Sequence, residues 1–397
     1  MKAIKLIIFL LFACISIQAQ EFPYRTTLAI EPYPSEQIRC IFFDKEGMLW
    51  LGTNNGLKSY DGYTFKTYKA DVYSPGIFPN NTILCIKEDK QDNLWLGTRD
   101  GLVRMNKRTG KFKTYHLPND NQRIIYTLYI AKNGTLWVGT DGGLSYFNEQ
   151  TEKFYTYNSK TRVITPEGKR KQIGNFGVKS ILEDRDGDFL IGTWSSGLIR
   201  FNIKNQTFLQ YPKFNKRNSA YSLFFDKRHR LWVGTWGYGV VRIDNPNHVK
   251  QPKIHQYPYR NCYFDTYYKI IEDPISKNLW GCTREGVSII NPNKEDAQWE
   301  NYTHIGEHKL KFNNDLAADN KGRIWLSTLN NGILQAHTIP SPFKNWYISK
   351  PDLNINYISS LFTLDGIIFW IGLNPYGVAL YNRNTHQTLY NQTCWRN

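Results

Sequence analysis

The stretch Leu49-Trp50-Leu51-Gly52-Thr53 recurs down the chain. Close copies are Leu94-Trp95-Leu96-Gly97-Thr98, Leu136-Trp137-Val138-Gly139-Thr140 and Leu231-Trp232-Val233-Gly234-Thr235. Weaker copies are Leu190-Ile191-Gly192-Thr193, Trp280-Gly281-Cys282-Thr283, Trp325-Leu326-Ser327-Thr328 and Trp370-Ile371-Gly372. The glycine position, with Ser327 in its place in the seventh copy, returns every 42 to 53 residues. That period is the length of one four-stranded propeller blade. The spacing predicts an all-β chain, a β-propeller of four-stranded blades.

Each unit repeats one internal grammar. An apolar strand ends in an acidic residue, as in Ile38 to Asp44, Ile83 to Asp89 and Val178 to Asp184. Asp opens turns by accepting from backbone amides ahead of it, and Gly or Asn closes them with positive φ. The Trp strand follows, then a short turn ending in Gly, a third strand, and an outer strand with paired aromatics such as Phe65 and Tyr68. Ten residues before the Trp position stand Cys40, Cys85, Thr127, Ser180 and Ser222. Small residues suit the crowding of first strands around an axis, so Cys40 and Cys85 read as fillers. Asp315 has the same place in the seventh unit and is expected to face the channel. The tryptophans Trp50, Trp95, Trp137, Trp232, Trp280, Trp325 and Trp370 are expected to pack between blades.

Eight units must be fitted to a closed ring. Tyr24 to Leu28 precedes the first unit and can serve as a spare outer strand. The seventh unit runs instead into Pro340 and Pro342, and proline pairs poorly within a sheet. We therefore expect a seven-bladed ring over 20–350, closed by the N-terminal strand, with 351–397 as an extra eighth repeat. The alternative is an eight-bladed ring.

Residues 1–19 read as a secretory signal: Lys2 and Lys5, an apolar run from Leu6 to Ile17, then Ala19 before the cut. A rival reading takes Leu11-Phe12-Ala13-Cys14 as a lipoprotein box with lipid on Cys14. No later apolar run reaches membrane-spanning length, so the mature chain is expected to be periplasmic or secreted, without a membrane span. The formal charge of +16 is scattered rather than gathered in a basic run, and no nucleic-acid partner is expected. The cysteines show no CxxC spacing. Asp184-Arg185-Asp186-Gly187-Asp188 lacks the closing Glu of a calcium loop, and His304 with His308 lacks the HExxH glutamate. No metal or cofactor is expected.

Phe42-Phe43-Asp44, Gly47, Leu49 to Thr53, Gly56-Leu57 and Tyr60-Asp61-Gly62 resemble the two-component regulator propeller family. The resemblance implies the periplasmic sensor region of a hybrid two-component system responding to polysaccharide fragments. In that family two seven-bladed propellers are followed by a β-sandwich, a membrane helix, a histidine kinase and a response regulator. This chain is expected to be a sensor fragment: one propeller and the first blade of a truncated second, without its own kinase output.

The residues after each Gly-Thr vary from unit to unit: Asn54, Arg99 with Asp100, Asp141, Trp194, Trp236 with Tyr238, Arg284 with Glu285, Asn330 and Asn374. Variable residues on a fixed scaffold are where binding usually sits. Trp faces stack on sugar rings, and Arg and Asp bind hydroxyls. The candidate ligand-binding set is Arg99, Asp100, Asp141, Trp194, Trp236, Tyr238, Arg284 and Glu285, with no catalytic residue. The expected partner is an oligosaccharide, acidic ones included, alongside propeller–propeller or homodimer contacts. The competing readings are a lyase or hydrolase using the axial cavity, and a passive interaction scaffold or non-functional fragment.

Overall fold

The computed structural model describes residues 22–30, 36–70, 76–157, 162–164, 170–172, 177–213, 219–257, 265–305, 308–310, 314–328, 332–338, 358–373, 377–382, 384–385 and 387–391. The signal segment, Cys14, Cys262, Cys394, Asn330 and Asn374 lie outside them. The chain divides into two compact units, Met1–Pro340 and Ser341–Asn397.

In the first unit, blade 1 is an antiparallel sheet of Ile38–Phe43, Leu49–Thr53, Gly56–Tyr60 and Phe65–Tyr68, in that order from the axis outward. The inner strands of blades 2 to 6 are Ile83–Glu88, Ile125–Ile130, Val178–Glu183, Ser222–Phe225 and Tyr267–Glu272. Blade 7 has Leu316–Ala318, Arg323–Ser327 and Ile333–His337, and Arg25–Ile30 is its fourth strand, paired antiparallel to Ile333–His337. Each inner strand touches the next, and that of blade 7 touches blade 1. At this seam Asn314 Nδ2 donates to the Ile38 carbonyl at 2.8 Å, and Ile41 N donates to Asp315 Oδ2 at 2.8 Å. Asp315 is therefore buried and committed to the seam, where it also pairs with Lys269 Nζ at 2.6 Å.

The repeat motif follows from how blades crowd. Gly52 is paired opposite Cys40, Gly97 opposite Cys85, Gly139 opposite Thr127, Gly192 opposite Ser180 and Gly234 opposite Ser222. A Cβ at any of these glycines would collide with the small side chain opposite and reach the next blade's Ile83, Ile125, Val178, Ala220 or Tyr267. Cys40 is buried and reduced, the filler its position called for. The motif tryptophans of this unit are also buried, from Trp95 and Trp232 at 0% exposure to Trp325 at 6%. They pack with aromatics of their own blade and the next; Trp95, for instance, meets Tyr115 and Phe147.

Blade 6 departs from the sequence reading. Thr283 bonds its turn as the other motif threonines do, and Lys269 pairs with Cys282, so Cys282 and not Gly281 holds the glycine's place. Cys282 stands two residues after Trp280 as Gly52 does after Trp50, and because the turn from Asp273 to Trp280 is one residue longer than that from Asp44 to Trp50, the residue facing it is Lys269. In blade 4 the acidic loop is already filled by a cation: Arg200 Nη2 lies 2.8 Å from Asp184 and 3.1 Å from Asp186, and Nε 2.9 Å from Asp188.

Among the described residues the second unit contains one sheet, Ile358–Thr363, Ile368–Leu373, Gly377–Asn382 and Gln387–Asn391, with the same strand order. Trp370 is 48% exposed there and Phe362 57%. The expectation that Trp370 packs between blades fails, because among the described residues no second sheet of its unit covers that face.

Candidate functional site

The threonine of each motif builds the turn that follows it. Thr53 Oγ1 donates to the Gly56 carbonyl at 2.9 Å and accepts from Asn55 N at 2.9 Å. Thr98, Thr140 and Thr193 repeat both bonds, with Gly101, Gly143 and Gly197 as acceptors. The residue after each threonine is then tied to the segment entering the inner strand. Asn54 N donates to the Gln37 carbonyl, Arg99 N to that of Thr82 and Trp194 N to that of Gly177. Trp236 N donates to Ser219 Oγ at 3.0 Å.

A second set of residues meets the first at the same end of the ring. The inner strands of blades 1, 2, 3, 4 and 6 carry a bulge just before the residue facing the motif glycine position. A bulge leaves one residue out of the ladder and re-aims its side chain. The residues so placed are Arg39, Leu84, Tyr126, Lys179 and Tyr268, and Tyr221 holds the same place in blade 5.

These two sets interlock across blades 3 to 6. Tyr126 Oη donates to Asp141 Oδ2 at 2.7 Å, and Lys179 Nζ lies 3.3 Å from Asp141 Oδ1. The Lys179 ammonium also sits over the rings of Tyr126 and Trp194. Trp194 meets Trp236 with centroids 4.9 Å apart and Tyr221 at 6.2 Å. Tyr268 completes the group, 5.8 Å from Tyr221 and 5.9 Å from Trp236. Trp194 stays 41% exposed, so this aromatic surface is open to solvent. Burial lowers the Lys179 ammonium from the usual lysine range, against the opposing pull of Asp141. Burial and then the bond to Asp141 raise the Tyr126 phenol, while burial with Tyr268 nearby pushes Tyr221 up to about 12.

Of the residues expected from sequence, Asp141, Trp194 and Trp236 form the centre of this cluster. Arg99 stands beside it, close enough for its charge to act on Tyr126 and Arg39. Arg284 and Glu285 pair with each other at 3.8 Å, and both charges reach Tyr268. Asp100 is held by Arg123 through bonds of 2.7 and 3.0 Å. Tyr238 is half-buried and makes none of the ring contacts that join the others. Sequence reasoning missed Arg39, Tyr126, Lys179, Tyr221 and Tyr268. Their signal was present as a repeat column of unlike residues directly before the small filler.

The two component regulator propeller model matches residues 32–55, 77–100, 119–142 and 216–237. These windows fall on blades 1, 2, 3 and 5, each running from the entry of the inner strand to the turn after the motif. A histidine kinase of Formosa agariphila is 38% identical over 60 residues, 15% of this chain and 4% of that protein. The extracellular domain of a hybrid two component system from B. thetaiotaomicron shares the fold at TM-score 0.70 and 21% identity, over 93% of this chain and 49% of that one. This chain thus spans about half the length of that relative. Virginiamycin B lyase from Staphylococcus aureus aligns at TM-score 0.62 and 13% identity, over 80% of this chain and 100% of the lyase. Four windows of this chain thus match the two component regulator propeller, and each falls on one blade of the propeller fold.

Proposed function

We propose that this chain is a ligand-sensing propeller of the periplasmic or extracellular side, reading an oligosaccharide on the face that carries Trp194 and Trp236. The observation that supports this is the run of aromatic rings from Tyr126 to Tyr268, interleaved with Asp141 and Lys179 and left open at Trp194. Ring faces stack on the C–H face of a sugar, and fixed polar groups between them bind its hydroxyls. The fold is one that extracellular domains of hybrid two component systems use. Among the described residues no helix is long and apolar enough to cross a membrane. We read the output as passing by contact with other sensor parts, with no bond made or broken at this face.

Calorimetry of the full chain against a panel of neutral, uronate-containing and sulfated oligosaccharides tests this. A binder should appear and weaken about tenfold or more, roughly 1.4 kcal/mol, in Trp194→Ala and in Trp236→Ala. No binder across the panel, or a binder indifferent to both substitutions, rejects the reading.

A further inference from the structure

Where blades 3 and 4 meet, the aromatic face carries a carboxylate that is fixed on both oxygens and still open to solvent. Tyr126 Oη donates to Asp141 Oδ2 at 2.7 Å, and Lys179 Nζ lies 3.3 Å from Oδ1. A bulge turns each of these partners out of its inner-strand ladder, so the backbone itself sets them against Asp141. Exposure separates the ion pair: the Asp141 side chain is 41% exposed and that of Lys179 only 9%. The ammonium is covered by rings, 2.9 Å from the centroid of Tyr126 and 5.6 Å from that of Trp194. A ligand arriving here therefore meets the acceptor and not the cation. An ionised carboxylate offers about four lone-pair sites. Among the described residues Tyr126 takes one on Oδ2 and Lys179 one on Oδ1, which leaves each oxygen able to accept again. Trp194 stands beside it. A Cβ at Gly177 would lie 2.9 Å from Asp141 Oδ1 and 3.6 Å from Trp194 Cβ, so carboxylate and indole flank one small gap. Trp194 N donates to the Gly177 carbonyl at 2.9 Å, which holds the residue in place while its ring stays open.

We infer that Asp141 selects the sugar unit at this position: its two oxygens accept from adjacent hydroxyls of a neutral pyranose whose ring lies on Trp194. This rests on the oligosaccharide reading above and names its class. Only O–H or N–H donors satisfy the remaining lone pairs, and a pyranose supplies adjacent O–H groups at the edge of a ring whose face can stack. A uronate or sulfate group placed here brings a second anion against a fixed one, and like charges repel. A ring with one hydroxyl of the pair removed forfeits a charge-assisted bond. Lys179 is a positioning residue: it holds Oδ1 from the covered side and leaves the open side to the sugar.

The test titrates the full chain with cello-, manno- and galacto-oligosaccharides, each beside the uronate made from it by oxidation at C6 and beside analogues lacking one ring hydroxyl. The neutral sugar should bind at least about tenfold tighter than its uronate, and removing either of two adjacent hydroxyls should weaken it by about as much. In Asp141→Asn both gaps should shrink to about twofold or less, because the charge and one acceptor are gone. Lys179→Met keeps the carboxylate and should keep the preference for the neutral sugar. The double variant, Asp141→Asn with Lys179→Met, should behave as Asp141→Asn, and it replaces the single variant if an unpaired Lys179 ammonium stops that chain from folding. Trp194→Ala should weaken the parent sugar and its analogues alike. A uronate that binds as well as its neutral parent, or gaps that survive in the Asp141 variants, overturns the role of Asp141 and leaves the oligosaccharide reading standing. No binding by any saccharide, neutral or acidic, rejects both.

Discussion

Trp50 Nε1 donates to Asp44 Oδ2 at 2.9 Å, and the same bond joins Trp95 to Asp89, Trp232 to Asp226 and Trp325 to Asp319. The other oxygen of Asp44 accepts from Glu46 N and Met48 N, so one carboxylate both shapes the turn and satisfies a buried indole. The Asp that ends the first strand and the Trp six residues on are one device. Where its parts are missing, the blade improvises. Blade 4 has Leu190 in the Trp place, and Arg200 meets Asp184 instead. In blade 6 the longer turn carries Asp273 to Thr338 Oγ1, and Trp280 Nε1 has no partner among the described residues.

Replacing Asp89 by Ala strips acceptors from Gln91 N, Asn93 N and the indole of a fully buried Trp95. Each orphaned buried donor costs about 1–3 kcal/mol, so the variant should lose roughly 3 kcal/mol in urea unfolding. Asp89→Asn keeps an acceptor and should lose less. A loss under about 1 kcal/mol for the Ala variant would mean water takes over both tasks.

The device also sets an acid limit. Burial raises the Asp44 carboxyl, but the bonds from Trp50, Lys107 and Met48 outweigh it and hold the group below the usual carboxylate range. Asp319 is held down in the same balance, by Trp325 and Arg323 against burial. A carboxylate lowered on folding gives stability that is complete above its unfolded value, about 3.9, and is lost as pH falls through the folded value. Stability should therefore drop steeply below about pH 4. Urea midpoints taken between pH 3 and 7 should show a shallower drop in Asp44→Asn; an identical pH profile would remove Asp44 from the account.

How much of this could be read from sequence depends on period. The Gly-to-filler pairs were legible because both partners sit at fixed offsets from the Trp, so Gly52 with Cys40 and Gly192 with Ser180 follow from counting. Gly281 was misread because a glycine stands beside the motif position, whereas counting two residues on from Trp280 gives Cys282. Trp370 was misread because burial depends on a neighbouring sheet, which a periodic pattern does not supply. At the candidate site, Trp194 and Trp236 stood out as odd residues in a turn. Tyr126, Lys179 and Tyr221 did not, since nothing in a strand pattern announces a bulge that re-aims one residue.

Gly192→Ala tests the crowding argument. Its Cβ would meet Ser180 Oγ and the Ala220 carbonyl, and the latter is backbone that cannot rotate away. Overpacking of this kind costs about 1–3 kcal/mol. A thermal melt should show the loss, with Ser180→Gly recovering only part of it because Ala220 remains. Full recovery would assign the clash to Ser180 alone.

Arg200 offers the sharpest test of the scaffold, because it is a buried cation serving three carboxylates. It reaches Asp184, Asp186 and Asp188, while Asn202 Nδ2 donates to Asp188 Oδ1 at 2.8 Å and Asn247 Nδ2 to Asp186 Oδ2 at 3.1 Å. Arg200→Met keeps the stem and removes the charge, leaving the acids facing each other. Breaking a buried pair from one side costs about 3–5 kcal/mol. Three carboxylates without their guanidinium present hard oxygen donors of the kind calcium takes. Thermal unfolding should place the variant well below the parent in chelator. Millimolar calcium should restore part of the loss in the variant and leave the parent unmoved. A variant as stable as the parent in chelator would show that the acids relax into solvent, and that Arg200 holds no network together.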